Sequence, residues 1–429
     1  MGIMHRIRNT HQKKRLLILG GQLRMCDVVR KAQEMGIYTI VTDWYENSPA
    51  KSIADKAYNI STSDVNAILQ LIRDEQIDGV FTGFIDSTLP YYFEICRRAG
   101  LPCYLNRTTL ECCTNKNRFK EVCKEVGLRT IPAVDVTGDL SGIEYPVLIK
   151  PADNSGSKGI TVCNDEDMLR RAIDRARRFS KTKDIVAERF MDCDYVAAYY
   201  TVTNGQAELS LLMDKDMNRI GRGAIPYPTA YVSPSRYEKE YSSRIHPRVQ
   251  QLIAHMGLTN GTFLISFFVN GRHFYAVEPA ARLTATQEYL FTRDSSGLDT
   301  LEMHINYALN GKFAMTTPLR EKSEEVPCSR PIYCMLLFFL NEGVIGRIEG
   351  TECIESLSGV LKTIRMRDIG AQIRADGSYG QLFFRVYLKA ETVADLIDKA
   401  EEVTNRLQVY SEDGKPMVKA GFDAKRFFA

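Results

Sequence analysis

The sequence predicts an α/β fold at its front, an open parallel sheet with helices on both faces, followed by α+β segments. Two observations carry that expectation. Strand and helix signals alternate over residues 15–100, and a glycine or an aspartate punctuates nearly every switch. Arg15–Leu19 is a short apolar run that ends in Gly20-Gly21. Residues 23–35 then place Leu23, Val28, Val29, Ala32 and Met35 at helical spacing, with Gly36 as the stop. Tyr38–Thr42 is the next strand and halts at Asp43. A helix near 64–75, a strand at 79–82 and a helix near 87–99 closed by Gly100 repeat the rhythm. Ligands of such sheets bind outside the carboxyl ends of the strands, which are Gly20–Gln22, Asp43 and Phe84–Asp86 here. Gly20-Gly21 reads either as a tight turn or as a dinucleotide fingerprint, and 23–26 supply no further glycine to complete the latter.

Composition sets the outer bounds. A chain of 429 residues with 44% hydrophobic content has room for about three domains and ample buried core. A formal charge of +3 argues against a dedicated nucleic-acid binder. No apolar run approaches the roughly 18 residues that span a bilayer. The basic start Met1–Arg15 leads into an apolar run too short for a secretory leader, and Arg6 rules out a myristoylation signal. Eleven cysteines with no C-x-x-C pair read as reduced thiols of a cytoplasmic protein, packed as small hydrophobes. No two of the six histidines form an H-x-x-x-H pair, so a zinc hydrolase has no support.

Beyond residue 110 the pattern becomes mixed. A helix is expected over Lys116–Val126, a strand over Tyr145–Lys150, a Gly-rich turn, and a strand over Gly159–Cys163. An Arg-rich helix around 165–179 reads as a solvated face. Residues 185–205 read as a hairpin, and 214–243, rich in Arg, Gly, Pro and Tyr, as a long loop serving a site. Residues 262–278 read as a hairpin turning at Asn270-Gly271. A helix near 297–309 and a linker at 317–330 follow. The last hundred residues alternate strands and a helix, with turns at Asp376-Gly377 and Asp413-Gly414.

One segment carries chemistry. In Tyr145-Pro-Val-Leu-Ile-Lys150-Pro-Ala-Asp-Asn-Ser-Gly-Ser157-Lys158-Gly159-Ile160 a strand delivers a lysine straight into a Gly/Ser loop. Backbone N–H groups of such a loop can surround phosphate oxygens. A plain surface hairpin with a solvated lysine is the other reading. This segment resembles the ATP-covering element of the ATP-grasp superfamily. Ile18–Met25 resembles the opening of the ATP-binding subunit of phosphoribosylaminoimidazole carboxylase. Asn115–Phe119 through Gly127–Pro132 is similar to the family's entry into its grasp domain, and 331–429 resembles the C-terminal lobe of carbamoyl-phosphate-synthase-like and amino-acid-ligase members. The resemblance implies a preATP-grasp parallel-sheet domain over 1–114, a two-lobed ATP-grasp domain over 115–330 with its nucleotide-covering lobe at about 145–200, and a C-terminal α+β lobe over 331–429.

The family's roles then fall on particular residues. Lys116 and Lys150 would touch ATP phosphates and the adenine edge. Ser157, Lys158 and Gly159 would close over the phosphates. Glu188 and the backbone near Phe190 would supply hydrogen bonds, Phe190 and Met191 apolar walls, and Asp194 an acid for the ribose hydroxyls. Glu188 as a solvated strand residue and Asp194 as a turn residue are the plainer alternatives. The reaction class implied is an ATP-dependent ligase: ATP phosphorylates a carboxylate, and an amine or similar nucleophile displaces phosphate, with Mg²⁺ bridging phosphate oxygens. In Tyr275-Ala-Val-Glu278-Pro-Ala280-Ala-Arg282, Glu278 matches the bridging carboxylate and Arg282 the arginine of the acyl-phosphate transition state. Ala280 stands where asparagine is usual, and Ser266 where the first acid is usual. The alternative is therefore a non-catalytic nucleotide-binding protein with a degraded metal site, and Glu278 and Arg282 as a surface ion pair is the plainest reading. Arg222, flanked by glycines, is the candidate for an anionic substrate, with an exposed lid as the competing reading. The partners expected are a small carboxylate and an amine, with no nucleic acid or membrane, and a homodimer follows from the family alone.

Overall fold

The computed structural model describes residues 13–140, 142–153, 159–218, 227–316, 330–375 and 379–429. Ser157, Lys158, Arg222, the Asp376-Gly377 turn and nearly all of the expected 317–330 linker lie outside the described residues.

The chain opens with β1 (Arg15–Leu19), α1 (Met25–Glu34), β2 (Tyr38–Thr42), β3 (Lys56–Tyr58), α2 (Val65–Asp74), β4 (Gly79–Phe81) and α3 (Leu89–Ala99). The strands pair in parallel in the order β3-β2-β1-β4. Strand β1 is apolar on both sides because both faces are covered. Leu16 and Ile18 pack with Met25, Val28 and Val29 of α1, whereas Leu17 and Leu19 pack with α2 and α3. The short strand β3 has no signal in the sequence, since it is only three residues long and exposed. At the carboxyl edge, Gly21 donates its N–H to Asp43 Oδ2 at 2.5 Å, and a Cβ there would stand 2.3 Å from Ser48 Oγ. Close packing against Ser48 requires a glycine there.

Helices α4 (Arg107–Thr114) and α5 (Lys116–Glu125) lead out of this unit. The Asn115 side chain accepts from the N–H groups of Asn117 and Arg118, which starts α5 with Lys116 in its first turn. A small antiparallel sheet follows, ordered β6-β5-β7, from β5 (Val147–Pro151), β6 (Thr161–Cys163) and β7 (Ile185–Arg189). Helix α6 (Glu166–Phe179) covers one face with Leu169, Ala172, Ile173 and Ala176, and its arginines point elsewhere.

The main sheet has eight strands: β12-β11-β8-β9-β10-β13-β17-β15. It draws on β8 (Asp194–Thr203), β9 (Gln206–Asn218), β10 (Tyr227–Ser233), β11 (Gly261–Asn270) and β12 (His273–Ala280). Short α7 (Glu238–Glu240) and α8 (His246–His255) precede β11, while α9 (Tyr289–Ser296) and α10 (Thr300–Asn310) follow β12. The C-terminal stretch adds β13 (Ile332–Phe339), β14 (Gly343–Glu349), α11 (Thr351–Glu355), β15 (Val360–Arg365), β16 (Gln372–Ile373), β17 (Leu382–Ala390), α12 (Val393–Arg406), β18 (Gln408–Ser411) and α13 (Ala424–Phe428). Antiparallel pairing of β10 with β13 carries the sheet from one region into the next.

Two expectations are corrected. Residues 185–205 are not a hairpin: β7 pairs with β5 in the small sheet, and β8 pairs with β9 across Asn204-Gly205. Residues 214–243 are not one long loop, since β9 runs to Asn218 and β10 occupies Tyr227–Ser233. Of the ten described cysteines, all are free and six are buried. Among the described residues no helix is long and apolar enough to cross a membrane.

Candidate nucleotide and acyl-transfer site

The small sheet supplies one wall. Val147, Ile149 and Ala187 turn toward α6, so alternation sends Lys150 and Glu188 to the opposite face. There Lys150 Nζ lies 2.6 Å from Glu188 Oε2, and Lys120 Nζ lies 2.6 Å from Glu188 Oε1. Glu188 is 2% exposed and Lys150 7% exposed. One buried carboxylate thus bridges two ammonium groups, a good arrangement for holding cations in place beside a second anion. Lys120 was not singled out in the sequence, although it sits one turn beyond Lys116 on α5.

Lys116 reaches the same space. Its backbone N–H donates to Ala152 O at 3.2 Å and its Nζ approaches the same oxygen at 3.4 Å. Burial first, and then the Lys150 charge, push the Lys116 pKa down; Glu278, Asp153 and Glu188 pull it partly back. That set of neighbours brings α5, the small sheet and β12 to one locus. Asp153 Oδ2 accepts the N–H groups of Lys181 at 2.9 Å and Thr182 at 3.1 Å, which ties the chain just after β5 to the segment before β7. Gly159 resumes the chain at φ +79°, and a Cβ there would meet Pro151 Cγ at 2.9 Å. Phe190 and Met191 are half-buried at the exit of β7, where the Phe190 N–H donates to Pro146 O at 3.1 Å.

The main sheet supplies the opposite wall. Val196, Ala198 and Tyr200 belong to the core on the α8 side, whereas Ala197 and Tyr199 belong to the other face. Asp194 therefore shares the α8 side, where its carboxylate accepts from Tyr237 Oη. Tyr195 takes the cleft side, hydrogen-bonded to Ser266, and Lys215 lies over its ring at 4.1 Å. Asp194 and Tyr195 thus leave β8 on opposite faces of the main sheet.

Glu278 reaches the cleft through a β-bulge. Phe274 and Ala276 point into the α8-side core, so plain alternation would send Glu278 there too. The β11–β12 register instead pairs Phe267 with Ala276 and Ser266 with Glu278, leaving Val277 as an extra residue. The bulge reverses the parity and aims Glu278 to the same side as Ser266 and Tyr195. Beyond the strand, Arg282 grips Asp86 with a two-pronged bond, Nε to Oδ1 at 2.7 Å and Nη2 to Oδ2 at 2.6 Å. Asp86 belongs to the edge that the parallel sheet marks for ligands. Burial works against the Arg282 charge, but Asp86 outweighs it and leaves the pKa above its ordinary value.

Residues 143–288 match the family profile for an ATP-grasp domain. The formate-dependent phosphoribosylglycinamide formyltransferase of Prochlorococcus marinus is 24% identical over 308 residues, which is 70% of this chain and 77% of that protein. The L-amino acid ligase of Bacillus licheniformis superimposes with a TM-score of 0.75 at 19% identity, covering 94% of this chain and all of that one. The biotin carboxylase domain of the Hydrogenobacter thermophilus 2-oxoglutarate carboxylase, solved with MgADP, ADP and bicarbonate, gives 0.73 at 19% identity, covering 95% and 92%. With its parallel-sheet front and its small antiparallel sheet, the chain shares the fold of these structures, and its residues 143–288 match an ATP-grasp domain.

Proposed function

We propose that the chain is an ATP-dependent ligase that joins a carboxylate to an amine or similar nucleophile through an acyl phosphate. The single observation that carries this is the convergence of Lys116, Lys150 and Glu278 on one cleft, with Glu278 delivered by the bulge. Lys116 and Lys150 bind the ATP phosphates, and Lys120 holds Glu188 so that Lys150 stays oriented. Phe190 and Met191 flank the adenine. Ser157, Lys158 and Gly159 cover the phosphates, and Arg222 borders the acid substrate. Arg282, fixed by Asp86, offsets charge on the acyl phosphate as it forms. A homodimer, a cytoplasmic location and the division at residues 114 and 330 belong to the same proposal.

The donor set fits magnesium that arrives with the nucleotide. Among the described residues no group of three or more His, Cys, Asp or Glu could hold a metal ion. Glu278 offers one hard carboxylate, and Mg²⁺ commonly binds through one or two carboxylates plus phosphates and waters. When bound there, magnesium supplies positive charge at the phosphate oxygens. This chain's own residues do the rest: the lysines align the phosphates, the covering sheet excludes water, and Arg282 meets the developing anion.

Ser266 and Ala280 are what favour the second reading, nucleotide binding without turnover. Calorimetry of ATP binding with and without Mg²⁺, on the wild type and Glu278→Ala, separates the two. Metal-dependent binding that collapses in the variant supports the ligase. Tight binding in both, indifferent to metal, would overturn it. A phosphate-release screen over carboxylate and amine pairs then identifies the substrates.

A further inference from the structure

The loop after β2 displays two large aromatic rings to solvent. Trp44 is 65% exposed and Tyr45 58% exposed, and their ring centroids lie 3.9 Å apart. Leu23, in the turn after the neighbouring strand β1, is 37% exposed. Three of the seven exposed large hydrophobic side chains among the described residues thus crowd the carboxyl edge of one sheet, so they form a patch rather than a scatter. A tryptophan and a tyrosine left in water forgo some of the largest apolar burial that side chains offer.

The backbone under these rings is fixed. Asp43, which is buried, accepts the Tyr45 N–H at Oδ1 at 3.0 Å and the Gly21 N–H at Oδ2 at 2.5 Å. The Tyr45 carbonyl accepts from Lys51 Nζ at 2.8 Å and from Ser48 Oγ at 3.4 Å. The Ala50 N–H donates to Gly21 O at 2.9 Å, which closes the loop back onto the turn after β1. A loop tied at both ends and in its middle holds the rings outward, so little ordering remains for a ligand to impose.

Position and size select the occupant. The strands run β3-β2-β1-β4 at a spacing of about 4.8 Å, so the loop after β2 stands about 10 Å along the carboxyl edge from the loop after β4. That second loop carries Asp86, which grips Arg282, and Phe84, whose N–H donates to Leu283 O at 2.9 Å. The rings and Arg282 therefore share one edge. Three side chains fall short of the surface of about 800 Å² that each side of a standard protein interface needs, which favours a small molecule. An open ring face is matched best by a flat ring, through offset or edge contacts. We infer that Trp44 and Tyr45 form a stacking platform for a planar aromatic group on one of the two substrates, held about 10 Å from its reacting end. This rests on the ligase reading and deepens it, by making either the acid or the amine an aryl compound.

Trp44 is the single tryptophan of the chain, so tryptophan emission reports this platform alone. The probes are phenylbutyrate and phenylbutylamine, with butyrate, butylamine and cyclohexylbutyrate as controls, each added to the intact chain saturated with ADP. A phenyl probe is expected to move the emission to shorter wavelength as water leaves the indole, while butyrate and butylamine leave it in place. The tighter phenyl probe tells whether the acid or the amine carries the ring. By calorimetry, Trp44→Ala weakens that probe by about tenfold or more and Trp44→Phe by less, because phenylalanine restores a ring face. Circular dichroism and ADP titration show whether each variant is folded, and Trp44→Phe keeps the test alive if the alanine variant is not. Emission unmoved by both phenyl probes, a cyclohexyl probe that binds as tightly as its phenyl counterpart, or equal binding in folded Trp44→Ala overturns the inference. Failure of the ligase reading is seen separately, as metal-independent ATP binding or absent turnover while phenyl binding at Trp44 persists.

Discussion

Ser266→Asp tests the metal half of the site. Ser266 and Glu278 are register partners on one face of the hairpin. Directly opposed Cβ atoms in an antiparallel pair lie about 5 Å apart. Two carboxylates at that spacing repel by about 3 kcal/mol at an effective dielectric near 20. Ser266 is 4% exposed, so desolvation acts in the same direction. Without metal the variant should therefore lose about 3 kcal/mol, or about 6–12 °C in Tm at about 2–4 °C per kcal/mol. Magnesium held by both carboxylates reverses the loss, returning about 2.7 kcal/mol when its concentration is a hundredfold above Kd. The assay is thermal unfolding with and without MgCl₂, no nucleotide present, backed by a calorimetric Mg²⁺ titration. The wild-type midpoint should barely move, because Glu278 alone holds magnesium weakly. A variant as stable as the wild type without metal, or one indifferent to magnesium, would refute the reasoning.

Three further outcomes are expected. Glu188→Gln removes the anion between Lys120 and Lys150 and should cost about 3–5 kcal/mol in urea unfolding, with ATP recovering part of it; a loss under 1 kcal/mol would mean the trio is effectively solvated. Lys116 has a lowered pKa in the folded protein, so its charge is complete below that value and lost as pH rises through it. ATP affinity should fall along an alkaline limb that begins below the ordinary lysine value of 10.5, and Lys116→Arg should shift that limb upward; matching pH profiles would exclude Lys116 from phosphate binding. Arg282→Lys breaks the two-pronged bond to Asp86 and should lower kcat by roughly a hundredfold with ATP Kd unchanged, since the arginine acts on charge that develops late. An equal loss in ATP binding would place Arg282 at the nucleotide instead.

Much of the fold was legible because it rests on local signals. The strand–helix switches over 15–100 are marked by glycines, and both faces of β1 are apolar, as a covered parallel strand requires. The failures occurred where pairing is remote. The strongest hairpin cue near 185–205 is Asn204-Gly205, at the end of that span, so the turn belonged to β8 and β9. Near the site, the strand that carries Lys150 was readable from its apolar run. The mode of arrival of Glu278 was not, because a bulge at Val277 leaves no trace in composition and reverses the parity that alternation predicts. Asp194, which the resemblance sets at the ribose hydroxyls, is turned by strand parity toward Tyr237. Lys120 and Asp86 find their partners Glu188 and Arg282 only through packing between segments as far apart as residues 86 and 282.

The unbroken pairing of β10 with β13 bears on how the chain could be cut. Residues Ala230–Ser233 receive their outer hydrogen bonds only from Tyr333–Leu336. A fragment ending before residue 330 would present β10 as an open edge, its residues buried on both sides in the intact protein. Such an edge invites pairing with another chain. Shortened versions of this protein should consequently accumulate as aggregates, whereas supplying 330–429 as a separate polypeptide should rescue solubility by restoring the missing strand neighbour.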